Sequence, residues 1–291
     1  MNASKGQSTD HQWPDIDAFV LSSEHLRQEL NISMAHLPAS GTARRHLTAY
    51  VLDPAFNFSA AVAIADFLTR FAALARGSWP EVTVVGVGYD TSDSRTVMSR
   101  RATDLTPTPS APPPGVRFPP VSFGGAPRFL GALLDDVRPA VDKRVAKASV
   151  RVLVGHSFGG LFGLYTLFHQ PESFDGYLLI SPSLWWDDRI VFRYEQAWSE
   201  TKKALRVPLF LAAGEGEQAA GAGWRNEGFP DEAIQAVREV DNVKELAAVL
   251  RSRQYDGFQL RTAVIPDEYH LTVFPSAFNQ GLRWMHDQLV G

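Results

Sequence analysis

Short apolar runs and amphipathic stretches take turns along most of this 291-residue chain. Residues 31–37 alternate apolar and polar side chains up to Pro38, which predicts a strand with one covered face. Residues 47–52 are mostly apolar and stop at Asp53-Pro54, as a strand buried on both faces does. Over residues 60–76, Ala61, Ile64, Phe67, Leu68, Phe71 and Leu74 fall at three- and four-residue steps, predicting a helix that buries them on one face before Gly77 ends it. Residues 82–88, 150–154, 176–180, 208–213 and 258–265 read as further strands. Helices are predicted over 126–146 with a kink near Pro139, from the turn after 154 to about 168, over 231–253 ahead of Gly257, and over 275–289. Residues 89–124 carry many prolines and no period. They read as a loop crossing the top of the fold, while residues 1–15 read as a polar tail.

Strand and helix alternate at least five times. That order predicts an α/β architecture with a mostly parallel central sheet and helices on both faces, as one domain over residues 16–291. The charge balance removes some classes of function. Lys plus Arg number 28 against 32 Asp plus Glu, a net charge of -4 with no basic stripe, so nucleic acid is not an expected partner. There is no cysteine, which rules out disulfides, a thiol nucleophile and a cysteine zinc site. No apolar run has the length of a signal peptide or a bilayer span, so the expectation is a cytoplasmic protein with no membrane partner. Nothing in the pattern sets an oligomeric state.

The chemistry concentrates at Gly155-His156-Ser157-Phe158-Gly159-Gly160. G-x-S-x-G arises by chance often, but here it follows an apolar strand and opens a helix, the setting of a nucleophile elbow. A serine held in a strained tight turn needs small neighbours two residues away on each side, hence Gly155 and Gly159. The helix that starts beneath it favours a developing oxyanion, and the N–H of Phe158 is the expected donor. His156 adjoins the serine but should point away from it, as a supporting residue. A serine nucleophile needs a histidine base and a carboxylate to orient it, and in the chain order of this fold type the acid and then the histidine follow the serine. Of His169, His270 and His286, only His270 lies on a loop directly after a predicted strand. The carboxylate is expected after the strand at 208–213. Glu217 is favoured, Glu215 is the alternative, and Asp267 ranks third.

Further patterns accompany these: Tyr50-Val51-Leu52-Asp53, Arg101-Ala102-Thr103-Asp104-Leu105-Thr106-Pro107, Ser181-Pro182-Ser183-Leu184-Trp185-Trp186, Gly214-Glu215-Gly216-Glu217 and Glu268-Tyr269-His270. Together they resemble the Putative esterase family of α/β-hydrolases, in particular its branch of siderophore esterases acting on enterobactin- and bacillibactin-type trilactones. The resemblance spans about residues 16–289. It implies a second oxyanion donor in the loop after Leu52, at Pro54 or Ala55, where Asp53-Pro54-Ala55 stands in place of the usual Asp-Gly. It implies substrate contacts from Arg101 and Asp53, with Trp185 and Trp186 on the acyl or aromatic side of the pocket. An arginine fork suits a carbonyl or carboxylate, and tryptophan suits a ring. Residues 218–230 could cover the site as a lid. The reaction expected is ester hydrolysis through an acyl-enzyme, without metal or organic cofactor, on a small-molecule ester. Any iron would travel with a siderophore substrate. A general carboxylesterase, an acyltransferase on the same residues, and a non-catalytic ligand-binding relative are the rival readings.

Overall fold

A computed structural model describes residues 13–39, 45–76, 79–112, 115, 121–145, 149–201, 204–219 and 230–290, the side chains of 72–76 excepted. Most of the expected polar tail, the Leu74 side chain, Gly77, Pro113, Pro114, Pro119, Pro120 and the core of the expected lid at 220–229 lie outside these residues.

Among the described residues eight strands form one sheet: β1 (Ile16–Ser23), β2 (Gln28–Leu37), β3 (His46–Leu52), β4 (Glu81–Tyr89), β5 (Ser149–His156), β6 (Gly176–Ile180), β7 (Pro208–Gly214) and β8 (Gln259–Ile265). Their order is β1-β2-β4-β3-β5-β6-β7-β8. β1, β2 and β4 pair antiparallel, and every pairing from β4 through β8 is parallel. The helices are α1 (Pro54–Arg76), α2 (Ser94–Asp104), α3 (Ala126–Gly131), α4 (Arg138–Asp142), α5 (Phe158–His169), α6 (Trp186–Glu200), α7 (Asp231–Val237), α8 (Glu239–Arg253) and α9 (Val273–Leu289). α1 and α9 pack on one face over a core that includes Val51, Val84, Val154 and Phe278. The other face is covered by α3, α4, α5, α6 and α8, with Ala102 of α2, over a core that includes Tyr50, Leu153, Phe162 and Leu211. Central strands with apolar side chains on both sides, such as β3, β6 and β7, are buried along their whole length. That is why they read as continuous apolar runs. Among the described residues, no helix is long and apolar enough to cross a membrane.

Several expectations change. β1 adds an antiparallel edge strand at residues 16–23, for which no strand was expected. The aperiodic stretch 89–124 contains α2, capped by Asp93, whose carboxylate accepts the Thr96 N–H at 2.8 Å. Its buried face is Val97, Arg101, Ala102 and Asp104, so two of its inward positions are charged and no apolar period marks it. α6 was likewise not anticipated, and its inward face includes Glu195, held by a bidentate Arg253. The irregularity before Pro139 is a π-turn over Ala132–Val137, in which the Arg138 N–H reaches back five residues to the Leu133 carbonyl. The helix expected over 231–253 breaks at Arg238, whose φ is 49°. In α1 the buried stripe is Phe58, Ala61, Val62, Ala65 and Leu68, whereas Phe67 and Phe71 stack on each other in solvent. Small side chains let the helix sit close to the sheet and leave the large rings on the flank.

Candidate active site

Five parallel strands deliver their C-terminal turns to one edge of the sheet. Asp53 follows β3, Ser157 follows β5, Ser181 follows β6, Glu217 lies in the 3-10 turn after β7, and His270 in the turn after β8. Asp53, Ser157 and Ser181 all hold positive φ, at 55°, 59° and 42°. Such conformations cost of order 1–3 kcal/mol for a non-glycine residue and gather at functional sites. Backbone bonds lace the turns together. The Ser157 N–H donates to the Ile180 carbonyl at 3.0 Å, Ser181 N–H to Ala212 at 2.7 Å, and Gly216 N–H to Glu268 at 2.9 Å.

Ser157, with φ 59° and ψ -120°, stands between β5 and α5 as an elbow should. A Cβ at Gly155 would come within 2.1 Å of the Gly159 carbonyl oxygen, so only glycine fits there. The same need was expected at Gly159 and is not found. A Cβ there meets Leu52 and Asp53 at ordinary contact distances of 3.4 and 3.5 Å. The steric demand falls instead on Gly160, where a Cβ would lie 2.8 Å from the Pro182 Cα. Phe158 opens α5, in the first turn whose N–H groups the helix itself does not use.

Glu217 is 3% exposed and is gripped by three donors. Its Oε1 accepts the Gly214 N–H and the Ser181 hydroxyl, each at 2.5 Å, and its Oε2 accepts the His270 Nδ1–H at 2.7 Å. The last contact orients the imidazole and leaves Nε2 as its second nitrogen. Glu215 and Asp267 are exposed. The geometry therefore distinguishes Glu217 from both alternatives as the carboxylate on His270. Ser181 opens one of the patterns quoted from the sequence, where no role is assigned to it. Its place directly after a parallel strand was the signal available.

The His156 ring lies 4.7 Å from that of His270, centroid to centroid. Burial, then the nearby His270 and Arg101 charges, hold His156 well below the usual histidine range. It is a neutral wall behind His270.

Arg101 donates from Nε to Asp53 Oδ1 and from Nη2 to Asp53 Oδ2, both at 2.9 Å, and its guanidinium lies 5.3 Å from the Phe158 ring centroid. Both partners are buried. The structure thus places the expected substrate arginine as a brace on the Asp53 turn. Pro54, expected as an oxyanion donor, cannot serve, because proline has no N–H. It starts α1, and its ring packs over Gly88, where a Cβ would come within 2.6 Å of it. Ala55, the other expected donor, is the exposed second residue of α1. Trp186, expected at the substrate pocket, is 0% exposed. Its Nε1 donates to Thr108 Oγ1 at 3.0 Å and its ring packs against Phe158, so it belongs to the core. Trp185 is partly exposed, with its ring centroid 6.0 Å from that of Phe158. A cleft of about 550 Å³ opens on the flank of the Asp53 turn, with Asn31, Ser33, Ala55, Tyr89 and Thr91 among its walls.

The chain is similar to several known proteins. The model of the family described as "Putative esterase" matches residues 23–258. The siderophore triacetylfusarinine C esterase of Aspergillus fumigatus is 33% identical over 213 residues, 68% of this chain and 68% of that protein. The ferri-bacillibactin esterase BesA of Bacillus subtilis is 28% identical over 223 residues, 72% of this chain and 71% of that one. Among solved structures, the siderophore hydrolase EstA from Aspergillus nidulans superposes with a TM-score of 0.80 at 27% identity, covering 95% of each chain.

Proposed function

The chain belongs to the Putative esterase family of ester hydrolases, and from that premise we propose that it cleaves siderophore-type esters or trilactones through a serine acyl-enzyme. The observation that carries this reading is the bond of 2.7 Å between the buried Glu217 and the partly exposed His270, in the same edge as the strained Ser157 turn. The siderophore substrate is supported by the similarity to siderophore esterases of Aspergillus fumigatus and Bacillus subtilis.

In the proposed reaction His270 Nε2 takes the Ser157 hydroxyl proton as Oγ bonds to the ester carbonyl carbon. The carbonyl electron pair moves onto oxygen. The Phe158 N–H and a second amide of the turn from Asp53 to Ala55 hold that oxyanion. The tetrahedral centre collapses, the C–O bond to the alcohol breaks, and the imidazolium returns its proton to the leaving alkoxide. Water then repeats the sequence on the acyl-enzyme and frees the acid and Ser157. Glu217 keeps Nδ1 protonated throughout and stabilises the imidazolium. Arg101 acts through Asp53 by fixing the turn. Iron, where present, is part of the substrate.

The test is Ser157→Ala assayed against p-nitrophenyl esters and ferric and iron-free trilactones. The expected loss is on the order of 10³ or more in kcat. Near-normal turnover in a folded variant would refute the reading. Preference for trilactones over simple esters supports the siderophore class, and the reverse order favours a general carboxylesterase.

A further inference from the structure

A second carboxyl lies beside the Glu217–His270 pair and has no role in the reaction above. Glu239, the first residue of α8, is buried. The α8 start is tied to the turn that carries Glu217. Gln218, next to Glu217, accepts the Asp241 N–H at 3.0 Å and donates to Asp241 Oδ2 at 2.8 Å. Glu239 Oε1 is fully enclosed and has no hydrogen-bond partner among the described residues. The same is true of Oδ1 of Asn242, three residues on and so on the same side of the helix. Two enclosed oxygens without a donor are what an added proton relieves.

We infer that Glu239 is a positioning residue, a protonated carboxyl that keeps the acid side of the site to a single negative charge, on Glu217, at neutral pH. This rests on the proposed roles of Glu217 and His270. Desolvation first, then repulsion from Glu217, push Glu239 well above the usual carboxylate range, against a smaller opposing pull from His270. Those two are the charged groups that act on it from the turns after β7 and β8. On its own helix Asp241 is held by Gln218 and Arg238, and Arg238 is also bonded to Glu245. When pH rises enough to ionise Glu239, a second negative charge appears beside His270. A neighbouring carboxylate raises the proton affinity of an imidazole. Glu239 ionised at neutral pH would therefore move the titration of His270 to higher pH, whereas the protonated form leaves it where Glu217 alone sets it, and the three groups titrate as a set.

The experiment is the pH profile of kcat/KM for wild type and Glu239→Gln, which keeps the shape of the neutral acid. Because a protonated Glu239 adds no charge while His270 titrates, the two proteins are expected to share one acid limb. An acid limb lying about a pH unit or more lower in the variant would show Glu239 ionised while His270 titrates, and would overturn the inference. Infrared difference spectra of wild type minus Glu239→Gln supply a reading that needs no substrate. A protonated-carboxyl stretch is expected at neutral pH. No such band at neutral pH would equally overturn it. If the protein cleaves no ester, the proposed function fails while the infrared band still decides the state of Glu239.

Discussion

Glu217→Gln separates orientation of His270 from every other role of the site. The carboxylate accepts from Gly214 N–H, Ser181 Oγ–H and His270 Nδ1–H. A glutamine amide offers one oxygen and one NH₂ group, so it cannot satisfy all three. With its oxygen toward Gly214 and Ser181 it keeps two bonds. Flipped, it sets an N–H against the buried Gly214 N–H, an orphaned donor that costs roughly 1–3 kcal/mol. That difference holds the first orientation about five- to a hundred-and-fifty-fold over the second. The amide nitrogen then faces Nδ1, which must accept, and the ring proton moves to Nε2. The base nitrogen is now blocked. A fall in kcat of about 10³–10⁴ is expected, with little change in KM because substrate contacts remain. The unfolding free energy in urea should fall by only about 1–3 kcal/mol, so the protein stays folded. Glu215→Gln, at an exposed position, is the matched control and should stay within about threefold. Turnover of Glu217→Gln within tenfold of wild type in folded protein would refute the role given to the pair.

Arg101→Met leaves the buried Asp53 carboxylate without its two bonds at 2.9 Å and should cost about 3–5 kcal/mol in urea unfolding. Adding Asp53→Asn should recover part of that loss, and a single variant as stable as wild type would show the pair to be idle. The raised titration of Glu239 also affects stability. Above the ordinary value of 4.5 the unfolded chain releases this proton while the folded protein keeps it, so stability falls as pH rises toward the folded value. The slope is up to about 1.4 kcal/mol per pH unit and should be absent in Glu239→Gln. Parallel stability–pH curves for the two proteins would contradict it.

Much of this site was legible in one dimension because its parts are local. The elbow needs a strand, a glycine two residues before the serine and a helix after it, all within a dozen residues, and β5, Gly155, Ser157 and α5 supply them in order. The alternation of strands and helices likewise predicted the parallel sheet, since each buried strand is a short apolar run. The edge strand β1 and the helices α2 and α6 left no such trace. An edge strand is open to solvent, and the inward faces of the two helices include Arg101, Asp104 and Glu195, whose partners come from distant segments. Glu217 could be ranked above Glu215 from its spacing, but only packing buries one and exposes the other. The brace between Arg101 and Asp53, the grip of Ser181 on Glu217 and the enclosure of Glu239 join residues 36 or more apart, or groups whose charge depends on burial. Local pattern records which backbone a segment prefers. Which polar groups lose water, and which partner compensates each, is decided only when the strand ends meet.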